Sequence, residues 1–164
     1  MLKGLDPLLT PDLLHALRAM GHGDELVIAD ANFPGASIAR RLIRVDGCDG
    51  PALARAVLSV MPLDDFADAA CFRMQVVDDP EALPDVCAIY ERLIQQAEGD
   101  GFRLASLERF AFYERARAAF AVVQTGEVRL YGNLILKKGV IRSQVADGDR
   151  RVHFGQGPRG RASR

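Results

Sequence analysis

Six polar residues outside the apolar stripes could carry chemistry in this chain of 164 residues. They supply an imidazole, a carboxylate, a guanidinium, two phenols and an amide: His22, Asp30, Arg109, Tyr113, Tyr131 and Asn133. The imidazole can give and take a proton near neutral pH, and the other groups bind hydroxyls through hydrogen bonds. The sequence has no Walker-type phosphate loop, no G-x-G-x-x-G motif and no activated serine or cysteine. These residues therefore favour proton transfer on a neutral, hydroxyl-rich ligand over phosphoryl, hydride or acyl transfer.

His22 and Asp30 stand at the two ends of a short apolar run, 26–29, which predicts a buried strand. Gly21 follows the apolar stripe of the first helix, where we expect a left-handed residue to end that helix. Glycines on both sides leave the His22 ring unshielded. The same residue types also suit an ordinary turn histidine and a strand-end aspartate, so on these residues alone both interpretations stay open.

Helical and strand patterns alternate along the chain, which is typical of an α/β fold with helices on both faces of the sheet. Helices are expected after Thr10-Pro11-Asp12, after Asp49-Gly50-Pro51, after Pro84 and over 110–120, with a helical turn within 37–42. Strands are expected at 26–29, 43–45, 71–77, 103–107, 121–126 and 134–136.

The composition is that of an ordinary globular protein, with 49% hydrophobic and 26% charged residues. The net charge of −1 gives no field that would attract nucleic acid or an anionic membrane. No apolar run is long enough for a membrane span, and the N-terminus lacks a signal-peptide pattern. The three cysteines and three histidines lack metal-ligand spacing, so we expect a reducing cytoplasm and no metal or other cofactor.

An acidic loop surrounds Phe66 and contains Asp64, Asp65 and Asp68. It lacks the glycine and terminal glutamate of an EF-hand loop. We interpret it as a solvated linker and assign it no role.

The chain divides into a domain, residues 1–141, and a basic tail, residues 142–164. The tail has six arginines against two aspartates and almost no apolar periodicity, which predicts disorder. Weak nucleic-acid binding through these arginines is one interpretation, and an extension without a binding role is favoured over it. His153 lies in this tail and is not a catalytic candidate.

Five segments together resemble the fucose mutarotase branch of the ribose pyranase/fucose mutarotase family. They are GHGDE at 21–25, ADANFP at 29–34, RFAFYERA at 109–116, TGE at 125–127 and YGNLILKKG at 131–139. The resemblance implies a single domain built as a three-layer α/β/α sandwich with a mixed central sheet. It also implies a cytoplasmic, metal-free sugar isomerase that forms homo-oligomers, often decameric rings, with the site near a subunit interface.

The resemblance further implies a role for each matching residue. His22 corresponds to the general acid and Asp30 to a substrate-binding aspartate. Arg109 corresponds to a sugar contact of the fucose branch, where the ribose branch has histidine. The other sugar-binding positions are Tyr113, Tyr131, Gly132 and Asn133.

The implied activity is the interconversion of α and β anomers of a pyranose, above all L-fucose, by acid–base ring opening and closing. His22 protonates the ring oxygen in this hypothesis, and Tyr131 or a water completes the relay at the anomeric hydroxyl. The alternatives are a ribose pyranase-type or other monosaccharide mutarotase, and a non-catalytic sugar-binding or sensor module. His22 favours catalysis, because a binder needs no group that titrates near pH 7. We expect a monosaccharide and further copies of the chain as partners, and neither a membrane nor nucleic acid.

Overall fold

A six-stranded mixed sheet forms the centre of the computed structural model, which describes residues 2–142. The strands are β1 (Glu25–Ala29), β2 (Leu42–Val45), β3 (Cys71–Met74), β4 (Leu104–Leu107), β5 (Ala121–Thr125) and β6 (Leu134–Lys137). Their order across the sheet is β2-β5-β1-β6-β3-β4. All the pairings are parallel except the two made by β6, which is antiparallel to β1 and to β3. The carboxyl ends of the other strands and the start of β6 therefore lie at the same edge of the sheet.

Helices cover both faces of this sheet, so the predicted three-layer α/β/α sandwich is confirmed. The helices are α1 (Pro11–Ala19), α2 (Gly35–Ile38), α3 (Gly50–Leu58), α4 (Asp85–Glu98) and α5 (Arg109–Ala118). Leu26 and Ile28 of β1 face a core shared with α1, α3 and α4. Val27 and Ala29 face a second core shared with α2 and α5. Every second residue of β1 thus points to the same layer, as the pleat requires.

Helices α1 and α3 begin where their capping residues predict, whereas α2 begins at Gly35, two residues before the predicted turn. The Thr10 hydroxyl accepts from the Leu13 amide at 3.3 Å, and the Asp49 carboxylate accepts from the Ala52 amide at 2.8 Å. Glu108, which the sequence pattern did not single out, caps α5 by accepting from the amides of Phe110 and Ala111 at 2.7 and 3.1 Å. These bonds satisfy amides that the first turn of a helix leaves unpaired.

The expectation for Gly21 is wrong. Helix α1 ends at Ala19, and the residue with positive φ is Gly23, at +85°. The terminal carbonyls do not need a left-handed glycine because the Lys138 ammonium donates to the oxygens of Leu17 and Met20, each at 2.7 Å. A lysine from the end of the sheet thus closes the helix.

The third strand is shorter than the pattern predicts. It ends at Met74 rather than running through residue 77, because the chain turns between Val76 and Asp79, which form an isolated bridge. Asp78 in this turn has a φ of +65°. The turn brings Val77 to the carboxyl edge of the sheet.

Within residues 2–142, no helix is both long enough and apolar enough to cross a membrane. The predicted tail lies outside the described residues, except for Arg142, whose guanidinium pairs with Asp65 at 2.7 Å.

Candidate functional site

A cavity of about 200 Å³ opens at the carboxyl edge of the sheet, where the loops after the parallel strands meet. Five of the predicted site residues line it: Asp30, Arg109, Tyr113, Tyr131 and Asn133. Asn32, Phe33, Met74, Val77 and Leu130 complete the wall. Ligands of α/β sheets gather at this edge, and pockets for drug-sized ligands are larger, roughly 300–1,000 Å³. The size and the mixed lining suit a small polar molecule with one apolar side.

Asp30 and Asn133 form the buried floor of the pocket. Asp30 follows β1 and Asn133 precedes β6, and these strands are antiparallel neighbours. The Asn133 amide nitrogen donates to the Asp30 carboxylate at 2.7 Å, and the Asp30 backbone amide donates to the Asn133 side-chain oxygen at 3.0 Å. The two side chains therefore hold each other in one orientation.

The Asp30 carboxyl is 5% exposed, and burial raises its pKa above the ordinary value. Hydrogen bonds from the Asn32 backbone and the Asn133 side chain act in the opposite direction without cancelling the effect of burial. Such a group is a strong hydrogen-bond acceptor in a partly dry pocket, which is what recognition of a hydroxyl requires.

The Tyr131-Gly132-Asn133 corner is held in a strained conformation. Tyr131 has a φ of +61°, which for a bulky residue is uncommon and costs about 1–3 kcal/mol. The Tyr90 hydroxyl donates to the Gly132 carbonyl at 2.9 Å, and the Val77 amide donates to the Tyr131 hydroxyl at 3.2 Å. The surrounding contacts thus fix the Tyr131 phenol at the mouth of the pocket.

Gly132 allows the chain to pass close to a buried carboxylate. A Cβ atom there would lie 2.6 Å from Cγ of Glu127 and 3.1 Å from the carbonyl oxygen of Arg129. Glu127 is 1% exposed and accepts two bonds from the Arg129 guanidinium, at 2.7 and 2.6 Å. Burial alone would raise the pKa of Glu127, but the bonds from Arg129 and the Gly50 amide outweigh it and lower the pKa. The site thus rests on an ion pair between the buried Glu127 and the partly exposed Arg129, which the sequence pattern did not predict.

Arg109 and Tyr113 reach the pocket from the first turns of α5. They are four residues apart and therefore lie on the same side of the helix. The Tyr113 ring lies 5.6 Å from the Phe33 ring, centroid to centroid. Glu108, the cap of this helix, fixes the backbone from which Arg109 projects.

His22 does not lie in this pocket. His22 precedes β1, whereas Asp30 follows this strand. The five residues of β1, at about 3.3 Å each, therefore place the two side chains roughly 16 Å or more apart. The structure of one chain therefore brings the sugar-binding candidates together and leaves the proposed acid at the opposite edge of the sheet.

His22 lies instead against a residue of the acidic loop. Its Nε2 is 3.0 Å from Oδ1 of Asp64, a side chain that is 3% exposed, while His22 itself is 47% exposed. The interpretation of this loop as a solvated linker is therefore wrong for Asp64, although Asp65 and Asp68 are exposed. No local signal could have found the pair, because 42 residues separate its members.

Among residues 2–142, no cluster of three or more His, Cys, Asp or Glu side chains is arranged to hold a metal ion. The polar groups of the pocket are a carboxylate, an amide, a guanidinium and phenols, all of which can form hydrogen bonds with hydroxyls.

Comparisons with known proteins all point to the same family. Residues 3–141 match the model of the RbsD / FucU transport protein family. The chain is 49% identical over 146 residues to the fucose mutarotase of Danio rerio, covering 86% of this chain and 95% of that protein. It is 46% identical over 140 residues to an L-fucose mutarotase of Haemophilus influenzae, covering 85% of this chain and 97% of that protein.

A solved structure shares the fold. The crystal structure of the fucose mutarotase from Streptococcus pneumoniae in complex with L-fucose superposes with a TM-score of 0.81 at 45% identity. The match covers 86% of this chain and all of that one.

Proposed function

The chain belongs to the RbsD / FucU family, and from this premise we propose that it is a fucose mutarotase, an isomerase that interconverts the α and β anomers of L-fucose. The observation that carries the proposal is the carboxyl-edge pocket, in which Asp30, Arg109 and Asn133 present hydrogen-bonding groups beside an apolar wall. L-fucose has the same division, because it carries several hydroxyls and one methyl group. Relatives named for this activity share 46–49% of their residues with the chain.

The reaction needs only proton transfer. A proton leaves the anomeric hydroxyl, another reaches the ring oxygen, and the bond between the anomeric carbon and the ring oxygen breaks to give the open aldehyde. Rotation and closure on the other face, with the protons returned, give the other anomer. Positioned acid–base groups typically accelerate such steps about 10²–10⁴-fold, and this is adequate for a reaction that also proceeds without a catalyst.

Each predicted site residue has a role in this proposal. Asp30, Arg109 and Asn133 bind sugar hydroxyls, and Tyr113 packs beside the ring. The backbone of Gly132 brings the corner within reach of the sugar. Tyr131 relays the proton at the anomeric hydroxyl, and His22 protonates the ring oxygen.

The distance along β1 requires two chains for one complete site. His22 of one chain can meet the pocket of another if the amino edge of one sheet faces the carboxyl edge of the next. Both edges carry exposed apolar side chains suited to burial between copies: Phe66 near His22 is 66% exposed, and Phe110 and Leu130 near the pocket are 63% and 70% exposed. Contacts between unlike patches form a closed ring when the rotation from one copy to the next divides a full turn, and a homo-oligomer such as a decameric ring would meet this condition.

The free state of the cysteines supports a cytoplasmic location. Cys48, Cys71 and Cys87 are free thiols, and burial raises the pKa of Cys71 to about 12 and that of Cys87 to about 11. Such thiols resist oxidation and have no need of a disulfide-forming compartment. We assign the activity to residues 1–141 and none of it to the tail.

Proton NMR saturation transfer between the two anomers of L-fucose tests the function, with D-ribose as the parallel substrate. Enzyme-dependent transfer in L-fucose is the expected result. Transfer with ribose alone would make the protein a ribose pyranase. Binding of either sugar without transfer would make it a sugar-binding module.

A further inference from the structure

A buried carboxylate lies directly behind the His22 ring. Oδ1 of Asp64 is 3.0 Å from Nε2 of His22, and the same oxygen accepts from the Phe66 backbone amide at 3.1 Å. Oδ2 lies 3.5 Å from the Lys137 ammonium. The Phe66 ring meets the imidazole edge to face, with centroids 5.6 Å apart. The imidazole is therefore held on one side and open on the other.

The charge of Asp64 determines which imidazole nitrogen carries hydrogen. Burial alone would raise the pKa of Asp64, but the bonds from His22, Phe66 and Lys137 outweigh it and lower the pKa. An ionised carboxylate only accepts hydrogen bonds, so Nε2 must be the donor. In neutral His22, Nδ1 is then the basic nitrogen.

The backbone around this pair is fixed by the sheet. Asp64 donates its amide to the Lys137 carbonyl at 3.1 Å, and Gly23 donates to the Lys138 carbonyl at 2.8 Å. The end of β6 thus lies between the two loops and holds both. Gly139 permits this approach, because a Cβ there would lie 2.1 Å from the Leu63 carbonyl oxygen.

We propose that Asp64 is a positioning residue for proton transfer by His22: it holds the Nε2–H and leaves Nδ1 as the nitrogen that exchanges a proton with the sugar. The inference rests on the proposed function, in which His22 is the acid. It adds a residue and a tautomer to that function. When His22 is protonated, the same carboxylate stabilises the imidazolium, so the geometry serves both directions of a reversible step.

The tautomer is tested first, without any variant and without any activity. The ¹⁵N spectrum of protein labelled at its histidine side chains distinguishes a protonated ring nitrogen from an unprotonated one. The signals that disappear in His22→Ala belong to His22. Above neutral pH we expect hydrogen on Nε2 and none on Nδ1. Hydrogen on Nδ1 would overturn the proposal even if the enzyme is fully active.

The contribution to the reaction is tested by Asp64→Asn, with Asp68→Asn as the matched control in the same loop, where the side chain is exposed. We expect anomer exchange at saturating L-fucose to fall about 10–100-fold in Asp64→Asn, the range found when a carboxylate that orients a metal-bound histidine is removed. The dissociation constant for the sugar should stay unchanged, and the histidine spectrum should show both tautomers. Asp68→Asn should match the wild type in all three measurements.

Unchanged exchange and an unchanged tautomer in a folded Asp64→Asn protein would overturn the proposal. A parallel loss of sugar affinity and thermal stability would assign Asp64 a purely structural role and would also overturn it. Absence of exchange in the wild type, or full exchange in His22→Ala, would refute the proposed function instead, and the tautomer measurement would still stand by itself.

Discussion

Asp30 and Asn133 exchange two hydrogen bonds where β1 ends and β6 begins, at 2.7 and 3.0 Å. Neither side chain can rotate without leaving the other with an unpaired buried group. Because the strands are antiparallel neighbours, two residues 103 positions apart form one rigid unit. The pocket floor is thus preorganised by the sheet, and this reduces the ordering cost of binding a sugar.

The raised pKa of Asp30 predicts a characteristic pH dependence of stability. A carboxyl whose folded-state pKa exceeds its unfolded value holds its proton more tightly when folded. The free energy of unfolding therefore falls as pH rises from the unfolded pKa, about 3.9, through the higher folded value. Asp64 and Glu127 have lowered pKa values, so their contributions to the free energy of unfolding rise with pH instead.

Asp30→Asn removes the Asp30 contribution alone. Urea unfolding of wild type and variant at one protein concentration, from pH 4 upwards, measures the difference. We expect the wild type to lose stability relative to the variant as pH rises through this window, and L-fucose binding to be lost in the variant. A difference that is constant with pH would contradict the raised pKa.

Tyr90→Phe should weaken the corner without touching the pocket wall. The Tyr90 hydroxyl is the donor to the Gly132 carbonyl at 2.9 Å, and its loss leaves a buried acceptor unpaired. We expect a loss of about 1–3 kcal/mol in the free energy of unfolding, together with weaker sugar binding. Urea unfolding and titration with L-fucose measure the two effects. Sugar affinity equal to that of the wild type would show that this bond supports only the core.

Gly132→Ala should be far more damaging than an alanine at another glycine of the same sheet edge. The new methyl would lie 2.6 Å from Cγ of the buried Glu127, whereas a Cβ at Gly47 meets nothing within 4 Å. We expect a loss of about 1–3 kcal/mol and of sugar binding for Gly132→Ala, as for other overpacked sites. Gly47→Ala should stay within about 0.5 kcal/mol of the wild type. Equal stability of the two variants would mean that Glu127 moves aside freely.

Local sequence signals were sufficient for most of the helices and strands, whereas the roles assigned to the site residues rest on the resemblance of five segments to a known family. Caps such as Thr10 and Asp49 mark helix starts because the capping side chain is close to the amide it binds. The pocket residues were predictable because loops after parallel strands meet at one edge. Even the separation of His22 from Asp30 follows from a single strand between them.

Other features depend on strand pairing that no local pattern encodes. Asp64 resembles its exposed neighbours Asp65 and Asp68 in the sequence, and only the pairing of β6 with β1 and β3 buries it behind His22. Lys138 closes α1 from the same end of β6, which is why Gly21 is not needed there. In both cases the partner is distant in the chain, so the contact exists only after the sheet has formed.

Mixed oligomers test whether two chains build one site. His22→Ala and Asp30→Asn should each be inactive alone, because each lacks one half. When the two variants are refolded together in equal amounts, they should regain about a quarter of wild-type exchange. A shared site is complete only when one chain supplies an intact His22 and its neighbour supplies an intact Asp30, and each of these conditions is met in half of the cases. The two proteins combined without refolding provide the inactive control.

A second mixture distinguishes a site shared between two chains from a site within one chain by the amount of exchange activity that remains. Wild type co-refolded with an equal amount of the double variant His22→Ala/Asp30→Asn should retain about a quarter of the exchange if the site is shared between chains. It should retain about half if each chain carries its own site, because half of the chains then remain complete. Since β1 separates the two residues by roughly 16 Å or more, we expect a quarter. A value of half, with no recovery in the first mixture, would mean that His22 and Asp30 act within one chain, and it would refute the site shared between chains.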